Sequence, residues 1–237
     1  MRVRVAAVIP VLNEAGAIGP TVRGLSREVV DVIIVVDGGS SDGTEEEARR
    51  AGAEVIREER RGYGRACLTG AEQARREGAE VVLFLDGDGA DATEEAGQIV
   101  GPVLRGDADF VLASRTLGSR EPGSMGVHQI LAGQLIGRML GVLGGFRYSD
   151  MCAFRAIRLD RLMALGMREM SFGWNLEMQL RAAAAGLRVR EVPLPYRRRI
   201  AGRSKVAGNL RGTLKAGSRI MLTLFRVSAE LRRGARA

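Results

Sequence analysis

Two carboxylates separated by a single glycine, Asp86-Gly87-Asp88, stand directly behind the aliphatic run Val81-Val82-Leu83-Phe84-Leu85. Hard oxygen ligands that close together suit magnesium or manganese, ions that also grip the oxygens of a diphosphate. Taken alone, an Asp-x-Asp pair reads more simply as a solvated turn in which an aspartate caps the following helix. A calcium loop is excluded: counting Asp86 as the first position, the sixth is Asp91 instead of glycine and the twelfth is Gly97 instead of glutamate. A second polar cluster, Asp37-Gly38-Gly39-Ser40-Ser41-Asp42-Gly43-Thr44, also follows an apolar run and opens a Glu-rich stretch. Its glycines let backbone amides approach a nucleotide closely, and a carboxylate there can accept from a base or ribose. Asp37, at the strand end, is the expected ligand, whereas Asp42 or Thr44 is expected to cap the next helix. The third cluster is Pro10-Val11-Leu12-Asn13-Glu14. It occupies the place where a dinucleotide fold would carry Gly-x-Gly-x-x-Gly, and a Walker-type phosphate loop is likewise absent.

These clusters need a scaffold that brings them to one side. Val3 to Ile9, Asp31 to Val36, Ala53 to Arg57, Glu80 to Leu85 and Asp109 to Ser114 are short aliphatic or β-branched runs that predict strands. Ala17 to Arg27, Thr44 to Ala51, Gly64 to Glu77 and Thr93 to Arg105 are amphipathic and predict the helices between them. Such alternation predicts an α/β fold, a Rossmann-like, doubly wound parallel sheet with helices on both faces. Ligands of such sheets lie at the carboxyl ends of the strands, where all three clusters and Ser114-Arg115 fall. Beyond Arg115 the sequence predicts a Gly-rich loop, Thr116 to Gly126, able to act as a lid, and an apolar helix from about Gln129 to Leu143. A strand near Met151 to Ala156, a helix near Phe172 to Ala185 and a short strand near Arg188 to Val192 complete the expected globule.

With 237 residues, 46% of them hydrophobic, the chain suffices for one large α/β domain with an appendage. Cys67 and Cys152 match no metal-ligand spacing and predict no disulfide framework, which fits a reducing cytosol. The apolar stretch Ile130 to Phe146 is interrupted by Gln134, Arg138 and several glycines, so no membrane-spanning segment is expected. The net charge of +8 is concentrated at one end: Arg197 to Ala237 carries twelve Lys and Arg against Glu230 alone.

In their order and spacing the motifs resemble glycosyltransferase family 2. Pro-x-x-Asn-Glu, Val-Val-Asp-Gly-Gly-Ser-x-Asp-Gly-Thr, Gly62-Tyr63-Gly64 entering a helix, Asp-x-Asp and Ser114-Arg115 carry that likeness. Asp150 to Arg155, Trp174 to Gln179, Glu191-Val192-Pro193 and Arg199 to Lys205 resemble its dolichyl-phosphate mannose and glucose synthase branch, and the likeness runs from about residue 5 to 225. The resemblance implies a GT-A-type fold in which a nucleotide-binding sheet adjoins a mixed acceptor half. Residues 1–200 would form the catalytic domain and 201–237 a basic amphipathic tail. It also implies roles: Pro10, Glu14 and Asp37 on the nucleoside, Asp86 and Asp88 on the diphosphate and a Mg2+ or Mn2+ ion, Arg115 facing phosphate, and Arg199 and Lys205 closing over the diphosphate. Asp88, Arg115 and Glu177 are the expected catalytic groups. Gly38 stands where the family usually has a second aspartate, so the donor base stays open between uridine and guanosine.

The implied reaction is an inverting transfer of glucose or mannose from a nucleoside diphosphate-sugar. A lipid phosphate acceptor is already anionic and needs no strong base. A hydroxyl acceptor needs one, and Glu177, Asp150 or His128 are the candidates. His128 reads equally as a cap or surface group, and Trp174 as a stacking or a buried residue. The tail, with Arg211, Lys215, Arg219 and Arg226 at near-helical spacing beside Leu210, Leu214, Met221, Leu224 and Phe225, predicts either attachment to an anionic membrane surface or packing on the globule. Peripheral placement at the cytoplasmic face is therefore expected, and a homodimer is compatible with the sequence. Nucleic acid is not an expected partner, since the tail lacks stacking aromatics. Pro-Val-Leu-Asn-Glu after the first strand, in place of a Gly-rich segment bearing Arg and Lys, argues against a sugar-1-phosphate nucleotidyltransferase, and a non-catalytic, membrane-recruited nucleotide-binding protein is the other alternative.

Overall fold

The computed structural model describes residues 3–126, 130, 133, 137, 146–202 and 210–234. Their strands are β1 (Val5–Val11), β2 (Val32–Asp37), β3 (Glu54–Arg57), β4 (Val81–Phe84), β5 (Phe110–Ser114), β6 (Arg155–Arg158) and β7 (Val189–Pro193). The helices are α1 (Ala15–Gly24), α2 (Thr44–Arg50), α3 (Tyr63–Arg76), α4 (Ala96–Leu104), α5 (Leu159–Ala164), α6 (Trp174–Ala184) and α7 (Leu210–Gly234). A short 3-10 turn, Thr93–Glu95, precedes α4, so the single helix expected there is divided.

One seven-stranded sheet runs in the order β3-β2-β1-β4-β6-β5-β7. β1, β2, β3 and β4 are parallel, and β5 is parallel to β7. β6 is wedged antiparallel between β4 and β5, which makes this half of the sheet mixed. Every residue of β1, β4 and β5 is buried, as expected of aliphatic runs covered on both faces. The pleat sends alternate side chains to two cores: Ala7 and Ile9 meet Ile18, Val22 and Ile99 of α1 and α4, whereas Ala6 and Val8 meet Cys67, Ala71, Trp174 and Met178 of α3 and α6.

The expected strand at Met151 to Ala156 begins later, at Arg155, because residues 150–154 form the loop that carries Asp150 back toward Arg115. The expected helix at Gln129 to Leu143 lies almost wholly outside the described residues, as do His128 and Lys205. No described helix is long and apolar enough to cross a membrane.

Helix α7 packs on α6 and buries Leu224 and Val227 in the second core. Its charges are sorted differently from what the basic spacing implies. Arg219 and Arg226 turn inward, to Glu169 at 3.1 Å and to Glu177 at 3.4 Å, while Met221, Leu222 and Phe225 face outward and are 39%, 63% and 65% exposed. Among the described side chains, the outward face of this helix thus carries an apolar group beside its charges.

Candidate active site

The loops behind β1, β2 and β4 meet at the carboxyl edge of the sheet, fastened by short polar contacts. Asn13 adopts φ +51, and its amide donates to Ser40 Oγ at 2.8 Å while its Oδ1 accepts from the Ser41 amide at 2.9 Å. The Glu14 amide donates to Thr44 Oγ1 at 2.8 Å. Pro10 is buried at the end of β1 in register with Val36, and Val11 with Asp37. Asp37 is fully buried, and its Oδ2 accepts from the amides of Gly39 and Ser40 at 2.9 and 2.8 Å, with the Ser40 hydroxyl donating to Oδ1. Its carboxylate therefore shapes the loop on which a nucleoside would rest. Asp42 accepts from the Ala15 amide at the start of α1 and from Thr44, but the N-cap of α2 is Gly43 and has no side-chain cap bond, so the expected cap by Asp42 or Thr44 is not formed at that position.

Asp86 and Asp88 follow β4. Asp88 is 5% exposed, accepts from the Ala90 amide at 2.9 Å, and pairs with Arg199 at 2.5 Å. A second nitrogen of Arg199 reaches Glu14 at 2.6 Å, so one guanidinium spans the loops after β1 and β4. The segment carrying it is held by the Ile200 amide, which donates to the Asp88 carbonyl at 3.0 Å. Ile200 lies flat on Gly89, where φ is +74 and an added Cβ would come within 2.3 Å of Ile200 Cδ1.

A third acid, which sequence reasoning noted in the motif but did not assign to the site, completes the group. Asp91 is 5% exposed and its Oδ2 accepts from the Asp86 amide at 3.3 Å. Burial and then the neighbouring Asp88 push Asp86 up to about 6, against the opposing pull of Arg115 and Arg199. Burial, followed by Asp86 and Asp88, pushes Asp91 up to about 8. Three acidic residues within six positions of a strand end were the available signal for this crowding. Tyr196, whose backbone pairs with Asp91 and whose ring lies 5.0 Å from the Arg115 guanidinium, had no local signal at all.

Arg115 leaves β5 and meets Asp150 in a two-pronged pair, Nε to Oδ2 and Nη2 to Oδ1, each at 2.7 Å, with its own amide donating to Oδ2 at 3.0 Å. Burial opposes the arginine's charge, but Asp150 outweighs it and holds the guanidinium well above its usual range. Asp150 in turn is held low by Arg115 despite its own burial. The loop after Arg115 is tied along its length: Ser119 O accepts from the Tyr196 amide at 2.9 Å, Tyr196 O from the Glu121 amide at 3.0 Å, and Glu121 from the Arg198 amide at 2.8 Å.

Glu177 stands apart from this group. It is fully buried in α6, where Oε2 accepts from the Arg168 and Glu169 amides at 2.9 and 2.5 Å and Oε1 from Arg181 Nε at 2.9 Å. With Arg226 as a further neighbour, the carboxylate is committed to joining α6 and α7. Trp174 is fully buried edge-on to Phe84, at 6.3 Å between ring centres, which settles its place in the core.

Crowded anionic oxygens that raise one another are the donor set a hard divalent cation fits. Among the described residues, no three His, Cys, Asp or Glu side chains already converge as ligands. The arrangement accordingly suits an ion held by one or two carboxylates and completed by substrate phosphate oxygens.

The sequence profile of Glycosyl transferase family 2 matches residues 6–162. A glycosyltransferase of Mycobacterium tuberculosis whose substrates are not described is 32% identical over 220 residues, 90% of this chain and 94% of its own. The undecaprenyl-phosphate mannosyltransferase of Micrococcus luteus is 30% identical over 228 residues, 88% of this chain and 90% of its own. Glucosyl-3-phosphoglycerate synthase from Mycobacterium tuberculosis, solved with Mn2+, uridine diphosphate and glucosyl-3-phosphoglycerate, shares the fold. It superposes with a TM-score of 0.73 over 95% of this chain and 80% of that one, at 22% identity.

Proposed function

The chain belongs to glycosyltransferase family 2, and we propose that it is a metal-assisted, inverting hexosyltransferase moving glucose or mannose from UDP or GDP to a polyprenyl phosphate at a membrane surface. The observation that carries the donor half is the single guanidinium of Arg199 joining Asp88 to Glu14 beside Asp86 and Asp91.

Departure of a nucleoside diphosphate builds negative charge on its oxygens, and groups already in place to meet that charge lower the barrier. Asp86 and Asp88 would hold Mg2+ or Mn2+, which supplies charge neutralisation for the departing diphosphate. Arg199, anchored from both sides, would face the same oxygens, and Lys205, outside the described residues, is proposed to act on the diphosphate with it. Arg115, fixed by Asp150, presents its charge from the acceptor side. Pro10 and the loop shaped by Asp37 would carry the nucleoside, with Glu14 acting through Arg199.

The acceptor half rests on what the carboxylates already do. Glu177 is engaged by α7 and two amides, and Asp150 by Arg115, so neither is proposed as a base. A phosphate acceptor, ionised before it binds, requires none. Leu12 and Leu117, exposed on the loops after β1 and β5, and Ile200, exposed over Gly89, give the mouth of the site an apolar rim suited to a lipid chain. The outward Met221, Leu222 and Phe225 of α7 support attachment at a membrane surface.

Calorimetric titration with UDP- and GDP-sugars, with and without manganese, followed by a transfer assay on polyprenyl phosphate and on small hydroxyl acceptors, tests the proposal. Metal-dependent binding of one nucleotide and transfer to the lipid are expected. Binding of neither donor by folded protein would sink the transferase reading. Transfer only to the small acceptor would remove its lipid half.

A further inference from the structure

Helix α7 reaches the donor cleft through a relay in the loop between α5 and α6. Glu169 in that loop is 2% exposed. Its Oε1 accepts from the Ser171 amide at 3.0 Å and from Arg219 Nε of α7 at 3.1 Å, and its Oε2 accepts from the Thr223 hydroxyl of α7 at 2.9 Å. Burial opposes its charge, but Ser171, Thr223 and Arg219 together hold the carboxyl below its usual range. The following residue faces the other way: Met170 O accepts from the Arg65 amide at 3.1 Å. That amide belongs to the first turn of α3, where N–H donors have no acceptor within the helix, so Met170 supplies the missing acceptor.

The two backbones are pressed together at this point. A Cβ on Gly62 would stand 2.1 Å from Met170 O, and one on Gly64 would stand 2.3 Å from Glu169 O. Gly62 also has φ +146, a conformation side chains rarely take. Tyr63 lies between these glycines; its hydroxyl is buried without a hydrogen-bond partner among the described residues, close enough to Asp86 for each group to act on the charge of the other. Displacement of the 169–170 backbone therefore bears directly on the turn that presents Tyr63.

We propose that α7 is a working part of the donor site, and that Glu169 is the positioning residue through which its seating fixes the Gly62-Tyr63-Gly64 turn against Asp86. The proposal rests on the reading of Asp86 as a donor-site carboxylate. It makes the C-terminal helix more than an attachment device, since its inner face governs how well the diphosphate site is formed.

The test uses the full chain carrying Arg219→Ala with Thr223→Val, which removes both hydrogen bonds from α7 to Glu169 and leaves only its 3.6 Å ion pair with Arg226, while Glu169 and its Ser171 contact stay intact. Hydrogen exchange is followed over residues 62–68 and 219–227, and calorimetry measures uridine and guanosine diphosphate binding with manganese in the absence of lipid. Exchange is expected to quicken in both segments while β1 stays protected, and nucleotide affinity to fall about tenfold, the scale of coupling between linked sites. Faster exchange confined to 219–227, with residues 62–68 unchanged, would overturn the proposal. Glu169→Gln serves as the second variant and is expected to reproduce both changes; normal affinity together with loosened α7 would overturn the proposal equally. The exchange measurement involves no nucleotide, so it decides the relay even if the wild-type protein were to bind neither diphosphate, a result that would strike the transferase reading instead.

Discussion

Arg199 sits 2.5 Å from Asp88 although the two are separated by 111 positions in the chain, and its second nitrogen ties the same guanidinium to Glu14. Replacing Arg199 by alanine removes a cation already placed for the diphosphate and leaves Asp88 and Glu14 without it. Transfer efficiency, read as kcat/KM in steady-state assays, is expected to fall about a hundredfold. Arg199→Lys should recover little of the loss, because a single ammonium cannot span two carboxylates as a planar fork does. Full activity in the lysine variant would show that a point charge suffices.

The acid cluster makes stability depend on pH in an unusual sense. An aspartate in the unfolded chain titrates near 3.8, whereas the fold keeps the proton on Asp86 to about 6 and on Asp91 to about 8. Between these limits the folded state binds more protons than the unfolded one. The stabilisation is complete below the unfolded value and is lost as pH rises through the folded values. Thermal unfolding in chelator should therefore show Tm falling from about pH 5 to about pH 8. Asp91→Asn should flatten the slope, and manganese should restore Tm at the alkaline end. A wild-type Tm that stays level over this range would contradict the crowding.

Glu177 distinguishes a structural carboxylate from a base. Glu177→Gln keeps the shape of the side chain but weakens its grip on Arg181 and Arg226, so Tm should drop, and by up to a few kcal/mol of stability given that the group is wholly buried. The pH dependence of kcat should keep its form. Disappearance of its acidic limb would assign Glu177 to the reaction after all.

The outer face of α7 offers a separate measurement. Met221, Leu222 and Phe225 changed together to serine should weaken binding to anionic vesicles by about a hundredfold, since burying each large apolar side chain contributes roughly 1.5–3 kcal/mol and part of that area is already covered. Nucleotide binding in lipid-free solution should remain as in the wild type. Unchanged vesicle sedimentation would assign that face to some other contact.

The parallel half of the fold was legible because its strands are uninterrupted aliphatic runs, each followed by polar residues at the sheet edge. Asp86 and Asp88 could be placed from that pattern alone. β6 begins four residues later than the expected Met151 because the chain before it turns the Cys152 carbonyl to the fully buried guanidinium of Arg155, which also meets the Asn175 carbonyl at 3.1 Å, and nothing local in the sequence marks those partners. The partners of Glu177 were illegible for the related reason that helical spacing does not reveal which neighbour a buried acid meets. The tail was half legible: amphipathicity was evident, but the inward turn of Arg219 and Arg226 depends on Glu169 and Glu177, which lie some 50 residues away.

The pair between Arg115 and Asp150 also acts as a clasp. It fastens the chain where it leaves β5 and where it returns toward β6, so an ion pair closes the intervening excursion at its base. Chain closed in this way can change length at small entropic cost, about 0.6 kcal/mol for each doubling. On the proposed function, acceptor choice could thus diverge or be transplanted as a cassette cut at these two residues, while the loops after β1, β2 and β4 are left as they stand.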